Sequence, residues 1–388
     1  MNAKRLLCMI TASVCGWLAL ASTPPAFAAD QTSAAQKFFK NPQHGNPNLK
    51  SIGTLSFGPQ GLLLVAEPRS AAIVAIDTGD TGPVVKLKQR VEDVAGQAAA
   101  RLGAPAGGAQ IVDLAVNPAS GKIYLSVIRT ADKQVAILTV DADGKMQDLP
   151  LDNATYVRVP LPSSETAKVQ NISDLAFAKD RVLASGQSNE EFSSKIYSLP
   201  IPLTHDGSAK VFSAETYHVA HGRWETKAPI QSFIPYEENG KHYVVGAFAC
   251  TPIAKFPLDD IQSGGNIRGT SVMELGSGNR PLDMFTYDKG GKKWLVTNTL
   301  RLPFKKDLFG PSRYWGVRME MSFLLENNNI PINEKATRRN EQAKSGPGGV
   351  EIMDELAGAV QIAKLNNDEM VVLRESGDKL SLELAKLP

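Results

Sequence analysis

The chain has 388 residues, with 42 Lys and Arg against 40 Asp and Glu, five His and three Cys. Lys4 and Arg5 precede an apolar run over residues 6–21, and Ala26-Phe27-Ala28 fits the small-x-small rule of signal peptidase, which predicts a leader over residues 1–28 cut before Ala29. Without the leader, 40 basic residues face 40 acidic ones, which excludes an electrostatic case for nucleic acid or an anionic membrane as partner, and Cys250 is the one cysteine left, which excludes an internal disulfide.

The apolar run is shorter than the ~20 residues that span a bilayer. Two prolines follow it, and Val14 stands before Cys15 where a lipoprotein needs a small residue. The expectation is a soluble monomer, periplasmic or secreted, without membrane insertion. No CxxCH occurs, so no covalent haem is expected, and no nucleotide cofactor.

After the leader comes a polar arm, 29–50, and then a domain over 51–388 organised by a repeated phrase. The copies begin at Lys50 (KSIGTLSFGPQGLLLVAE), Gly108 (GAQIVDLAVNPASGKIYLSV), Val169 (VQNISDLAFAKDRVLASG), Ala228 (APIQSFIPYEENGKHYVVGA), Asn279 (NRPLDMFTYDKGGKKWLVTN) and Gly358 (GAVQIAKLNNDEMVVLRES). Each reads as an apolar strand of period two, a polar turn and a second apolar strand, and a third strand often follows. A single fair helical pattern lies at 91–103, between the first two copies. Self-similar units of about 40–50 residues with several short strands predict a β-propeller. We count six four-stranded antiparallel blades, with seven as the alternative if the insertion at 301–349 hides a degenerate one. Only 27 residues follow Gln361, so the arm is expected to close the last blade.

On "LSFGPQGLLLVAE…AIVAIDTGD" and "DLAVNPASGKIYLSV…AILTVDADGK" the chain resembles six-bladed propellers of the gluconolactonase-like, NHL-like and surface-layer-type groups. The resemblance covers most of the first three copies. It implies the fold and leaves function open among lactonases, esterases, redox subunits and binding modules.

In such a fold the first strand of each blade lines a central channel. Aligning the copies puts Thr54, Asp113, Asp174, Ser232, Asp283 and Gln361 at one level of it. Asp113, Asp174 and Asp283 would hold a Ca²⁺ or Mg²⁺ ion with oxygen ligands, or would bond backbone N–H groups of the next blade. The stretch "TYHVAHGRWETKAP", residues 216–229, carries His218, His221 and Glu225 on a loop expected near the axis. These residues, with Cys250, suit copper or zinc; the rival reading is a hydrogen-bonded loop beside a buried thiol. Loops joining second and third strands bring Arg69, Arg129, Asn189, Cys250, Asn298 and Arg301 to a rim that also includes Arg280, suited to anionic ligands or to plain surface pairing. The insertion 301–349 reads as a lid or protein-docking loop.

The leading expectation is an exported binding or accessory protein that takes a small molecule, a cation or a partner protein at the channel mouth. The first alternative is a metal-dependent lactonase or esterase. There the aspartates hold a divalent ion that polarises a carbonyl, and His218, His221 or Glu225 is the base. The second is a copper-binding redox accessory subunit using His218, His221 and Cys250.

Overall fold

The computed structural model describes residues 33–250, 252–259, 264–276, 278–302, 310–324, 330–338 and 350–388. The leader at 1–28 lies outside them, as does much of the insertion in which a seventh blade was weighed. Among the described residues no helix is long and apolar enough to cross a membrane.

The protein is a β-propeller. Its strands form antiparallel units, labelled blades I to VI by the chain position of their innermost strand. Blade I comprises Leu55–Phe57, Leu62–Glu67, Ala72–Asp77 and Ala154–Pro160. Blade II runs Ala109–Val116, Ile123–Arg129, Val135–Val140 and Met146–Asp148. Blade III is Val169–Ala178, Arg181–Ser188, Ser194–Pro200 and Lys210–His218. Blade IV is Ile230–Glu238, Lys241–Phe248, Pro252–Pro257 and Asn266–Glu274. Blade V is Asn279–Lys289, Lys292–Arg301, Tyr314–Glu320 and Glu351–Met353. Blade VI has Ala359–Lys364, Glu369–Ser376 and Lys379–Lys386. The second strands are the most buried because neighbouring blades cover both of their faces; all six residues of Leu62–Glu67 are buried.

The blades are not arranged in sequence order. The inner strand of blade I lies between those of II and III, and the inner strand of II lies between those of VI and I. Around the axis the order is II, I, III, IV, V, VI. The hydrophobic cores agree, each filling the gap between two ring neighbours: II with I, I with III, III with IV, IV with V, V with VI, and VI with II. Residues 78–108 make this order by carrying the chain across blade II before that blade is built. Val85 N–H donates to Ser120 O and Lys88 N–H to Ala142 O along the way. The helix read at 91–103 is Val94–Arg101, capped by the Asp93 carboxylate on Gly96 N–H, with Val94, Ala98 and Ala99 in the core between II and VI. After Met146–Asp148 the chain returns to blade I and supplies its fourth strand.

Two expectations are corrected. The arm does not close the last blade. Gln43–Gly45 adds a fifth strand to blade I by pairing with Ala154–Pro160, and Phe39 bridges to Leu203. Blade VI is instead met by Val91, whose N–H and C=O both bond Leu382 at 2.8 Å. Nor are the described parts of 301–349 a lid: Tyr314–Glu320 is the third strand of blade V, and Thr337–Arg338 pairs with the outer strand of blade IV.

The first strands share a device. Pairing slips by one residue just ahead of the ring position in blades II, III, IV and VI, between Ile111 and Asp113, Ile172 and Asp174, Ile230 and Ser232, and Ala359 and Gln361. In blade V the irregularity spans Pro281 to Met284 and contains Asp283. A bulge re-aims the side chain that follows it, and here it turns the ring residues toward the axis.

Candidate functional site

Taken in ring order, the six aligned positions alternate: Asp113, Thr54, Asp174, Ser232, Asp283, Gln361. Each aspartate reaches the blade that follows it. Asp113 Oδ2 accepts Leu55 N–H at 2.6 Å and the Thr54 hydroxyl at 2.8 Å. Asp174 Oδ2 accepts Phe233 N–H and the Ser232 hydroxyl, both at 2.8 Å. Asp283 Oδ2 accepts Ile362 N–H at 2.9 Å. Gln361 completes the circle by donating to Val112 O and Asp113 Oδ1. The aspartates thus act as clamps between blades.

The surface these carboxyls retain opens into the channel, with protein on every side. Burial pushes Asp113 up to about 6 and Asp174 up to about 7, against the pull of the N–H groups they accept. Asp283 is raised well above its ordinary range by burial and then by the charge of Asp113.

The ring is a waist between two cavities. The one lined by residues that follow the ring has a volume of about 600 Å³, with Phe57, Phe177, Ile234, Met284 and Phe285 among its walls and Lys364 at its far end. Lys364 Nζ donates to Thr286 O, and burial lowers its pKa. The opposite cavity, about 440 Å³, has Asn171, Gln231, Arg280 and Tyr314 among its walls. Sequence reasoning looked only toward that mouth and missed the wider cavity. Its signal was an apolar residue two or three places after each ring position, from Phe57 and Phe177 to Phe285 and Ala363.

The expected rim does not assemble. Of its members, Arg280 alone lines either axial cavity, with Nε 2.8 Å from Gln231 Oε1. Arg129 pairs with Asp132 and caps Leu102 O, and Asn189 bonds Lys168 N–H and Glu165 O. Arg69 lies on the surface, its N–H donating to Ser51 Oγ. Asn298 and Arg301 are buried, at 0 % and 3 % exposure. Asn298 fastens blade V to VI by donating to Ala359 O and Val360 O, and Arg301 lies over the Trp315 ring.

His218, His221 and Glu225 do come together, but not near the axis. Tyr217 and His218 pair with Trp224 and Arg223 across a short turn, Val219–His221, that ends at Gly222 with φ 63°. The left-handed glycine folds the stretch back as a hairpin on the outer strand of blade III. That strand runs parallel to the outer strand of blade IV, so the hairpin sits at the outer seam between III and IV. Cys250 approaches from blade IV, where it follows Lys241–Phe248. One donor atom from each of His218, His221, Glu225 and Cys250 lies within 4.8 Å of all the others. The two imidazole rings are 3.9 Å apart. His218 is 2 % exposed; its Nδ1 lies 3.5 Å from Glu225 Oε2 and its Nε2 3.7 Å from Glu274 Oε1. Burial pushes the Cys250 thiol up to about 11, helped by the Glu225 charge. Burial also acts to raise Glu225, but hydrogen bonds from His218, Ala228 N–H and Cys250 outweigh it and hold that carboxyl near about 2.

None of these four residues lines either axial cavity. The arrangement in which the aspartates hold an ion and the histidines or Glu225 supply a base beside it is therefore not assembled.

No family model matches the chain, and no curated protein matches it. Among solved structures it is similar to a bifunctional GH43-CE protein of Bacteroides eggerthii, at 12% identity over 72% of this chain and 33% of that one, TM-score 0.37. The chain thus spans about a third of that protein's length. It is similar to a streptogramin B lyase at 10% identity over 89% and 97%, TM-score 0.27, and to extracellular domains 1-2 of Drosophila Semaphorin 1a at 9% identity over 89% and 87%, TM-score 0.38. Likenesses this distant carry no argument about activity, and the propeller stands on its own strand pairing.

Proposed function

We propose that the chain is an exported, monomeric binding protein that takes a small organic molecule in the wider axial cavity. The observation that carries this is the pairing of apolar, partly aromatic walls with polar groups at the two ends. Pockets of about 300–1,000 Å³ with mostly apolar walls and a few placed polar groups are the usual form of a small-molecule site. Three carboxyls form the floor. Lys364 stands three residues beyond the ring, roughly 10 Å along its strand. A ligand with an amine at one end, an apolar middle and an acidic or acceptor group at the other matches both ends. An amine at the floor would favour ionised carboxylates there, and its charge is best placed against aromatic walls.

The hydrolase reading has less support. Among the described residues lining either cavity there is no histidine, glutamate or cysteine to act as base or nucleophile. The Oδ2 atom of each ring aspartate already accepts a backbone N–H of the next blade.

Calorimetric titration with straight-chain ω-amino acids, alkylamines and carboxylates of matched length tests the proposal. The ω-amino acids should bind most tightly, Lys364→Met should remove their advantage over alkylamines, and Ala363→Trp should fill the cavity and abolish both. Equal affinity for all three classes, or binding untouched by Ala363→Trp, would overturn it.

A further inference from the structure

We propose that His218, His221, Glu225 and Cys250 form a four-ligand site for zinc that clasps blade III to blade IV. The site is independent of the axial cavity and of any ligand bound there.

Three observations converge on it. The first is geometry. The four donor atoms lie within 4.8 Å of one another. A tetrahedral zinc ion with bonds of about 2.0–2.3 Å sets its donors roughly 3.3–3.8 Å apart, so closure needs a movement of about one ångström. His221 is exposed and free to make much of that movement by side-chain rotation. The second is a poorly met need. His218 is 2 % exposed, and Glu225 Oε2 meets its Nδ1 only at a long 3.5 Å. A buried ring nitrogen held this loosely is poorly satisfied, and metal ligation would satisfy it. The third is donor chemistry. Two imidazoles, a thiol and a carboxylate are ligands of zinc and its transition-metal neighbours, whereas calcium and magnesium take oxygen. Glu274, which accepts Ala220 N–H and faces His218 Nε2, places a further carboxylate beside the cluster and makes the pocket attractive to a cation.

The ligands come from both sides of the seam. Three are on the hairpin that leaves blade III and one is on the turn of blade IV. Binding would add a tie at the outer end of a seam that the shared core, the Asp174 clamp and the parallel pairing of the outer strands already hold. The Cys250 thiol gives up its proton to solvent as its sulfur takes the metal, so one proton is released per ion.

The test uses the full chain, stripped of metal and titrated with zinc against a chromophoric chelator, with thermal unfolding followed in parallel. One zinc per chain and a melting temperature that rises with zinc are expected. Cobalt(II) should give the ultraviolet thiolate-to-metal band, and Cys250→Ser should lose it. His221→Ala changes an exposed residue, so the fold should survive. It should weaken zinc binding by more than the roughly 10–100-fold that follows loss of a residue merely supporting a ligand. His242→Ala is the control: this exposed histidine pairs with Asp259 elsewhere on blade IV, and its loss should change nothing. Zinc affinity unchanged in both Cys250→Ser and His221→Ala would overturn the proposal, as would no binding at tenfold excess. A chain that refuses zinc but holds copper(II) with an intense visible thiolate band would overturn the assignment to zinc.

Discussion

Asp113 accepts the backbone N–H of Leu55 at 2.6 Å, and Leu55 lies 58 residues earlier in the chain. The bond therefore runs backward in sequence while it runs forward around the ring. It joins blade II to blade I in the same sense in which Asp174 joins III to IV and Asp283 joins V to VI. The Asp113→Ala substitution should strand the buried Leu55 N–H and cost about 1–3 kcal/mol, whereas Asp113→Asn, which keeps one acceptor, should cost less. Urea midpoints of the two variants decide this. Equal and negligible losses would mean that the clamp contributes nothing.

The ring also gives stability a pH dependence of defined sign. Asp113 and Asp174 are held at about 6 and about 7, above their ordinary range. A group whose folded pKa is raised binds more protons in the folded state than in the unfolded one between those two values. The stability it supports is complete below about pH 4 and is lost as pH rises to about 7. Each pKa unit is about 1.4 kcal/mol, so the effect for Asp174 is on the order of a few kcal/mol. Asp174→Asn cannot ionise. Its stability relative to the parent should therefore climb from about pH 4 and level off above about pH 7. A flat difference between the two urea midpoints across that range would contradict the raised pKa.

The crossover at 78–108 should be broken by one methyl group. Gly121 has φ 73°, and a Cβ there would stand 2.4 Å from Val85 O. Val85 in turn is held by its N–H on Ser120 O. Gly121→Ala must therefore adopt a left-handed conformation and push the crossover off blade II, at about 2 kcal/mol or more. Limited proteolysis should then cut within 78–108 before anywhere else. An unchanged cleavage pattern would show that the crossover is not anchored there.

Much of this architecture was legible because it is written in local pattern. Period-two apolar runs and polar turns mark the strands, and the repeated phrase puts all six ring positions in register, from Thr54 to Gln361. Blade order was not legible. No local pattern says which neighbour a blade will meet; that depends on the path of 78–108 and on carboxylates finding N–H groups tens of residues away. The histidine stretch shows the same division. Its residue types and spacing announced a cluster, but its place was set by Gly222 and by Tyr217 packing edge-on to Trp224 at 5.8 Å, which turn it outward. Asn298 and Arg301 were misplaced on the rim because Lys292–Arg301 stays paired to its end, where Arg301 faces Asn279 and packs over Trp315.

The closure of blade VI offers the sharpest contrast between the two ends of the chain. Lys379–Lys386 is an outer strand, and outer strands with unpaired N–H and C=O groups invite association. Val91 covers this one by exchanging two backbone bonds with Leu382, and the adjoining helix Val94–Arg101 packs into the same core. Val91→Pro removes the N–H that bonds Leu382 O and should destabilise by about 1–3 kcal/mol. It should also expose the edge, so that light scattering shows concentration-dependent association and amide exchange quickens at Leu382. A proline at His44, in the strand that the arm adds to blade I, should leave exchange at Leu382 untouched. If the His44 variant instead released Leu382 while Val91→Pro did not, the arm and not the crossover would be what closes the ring.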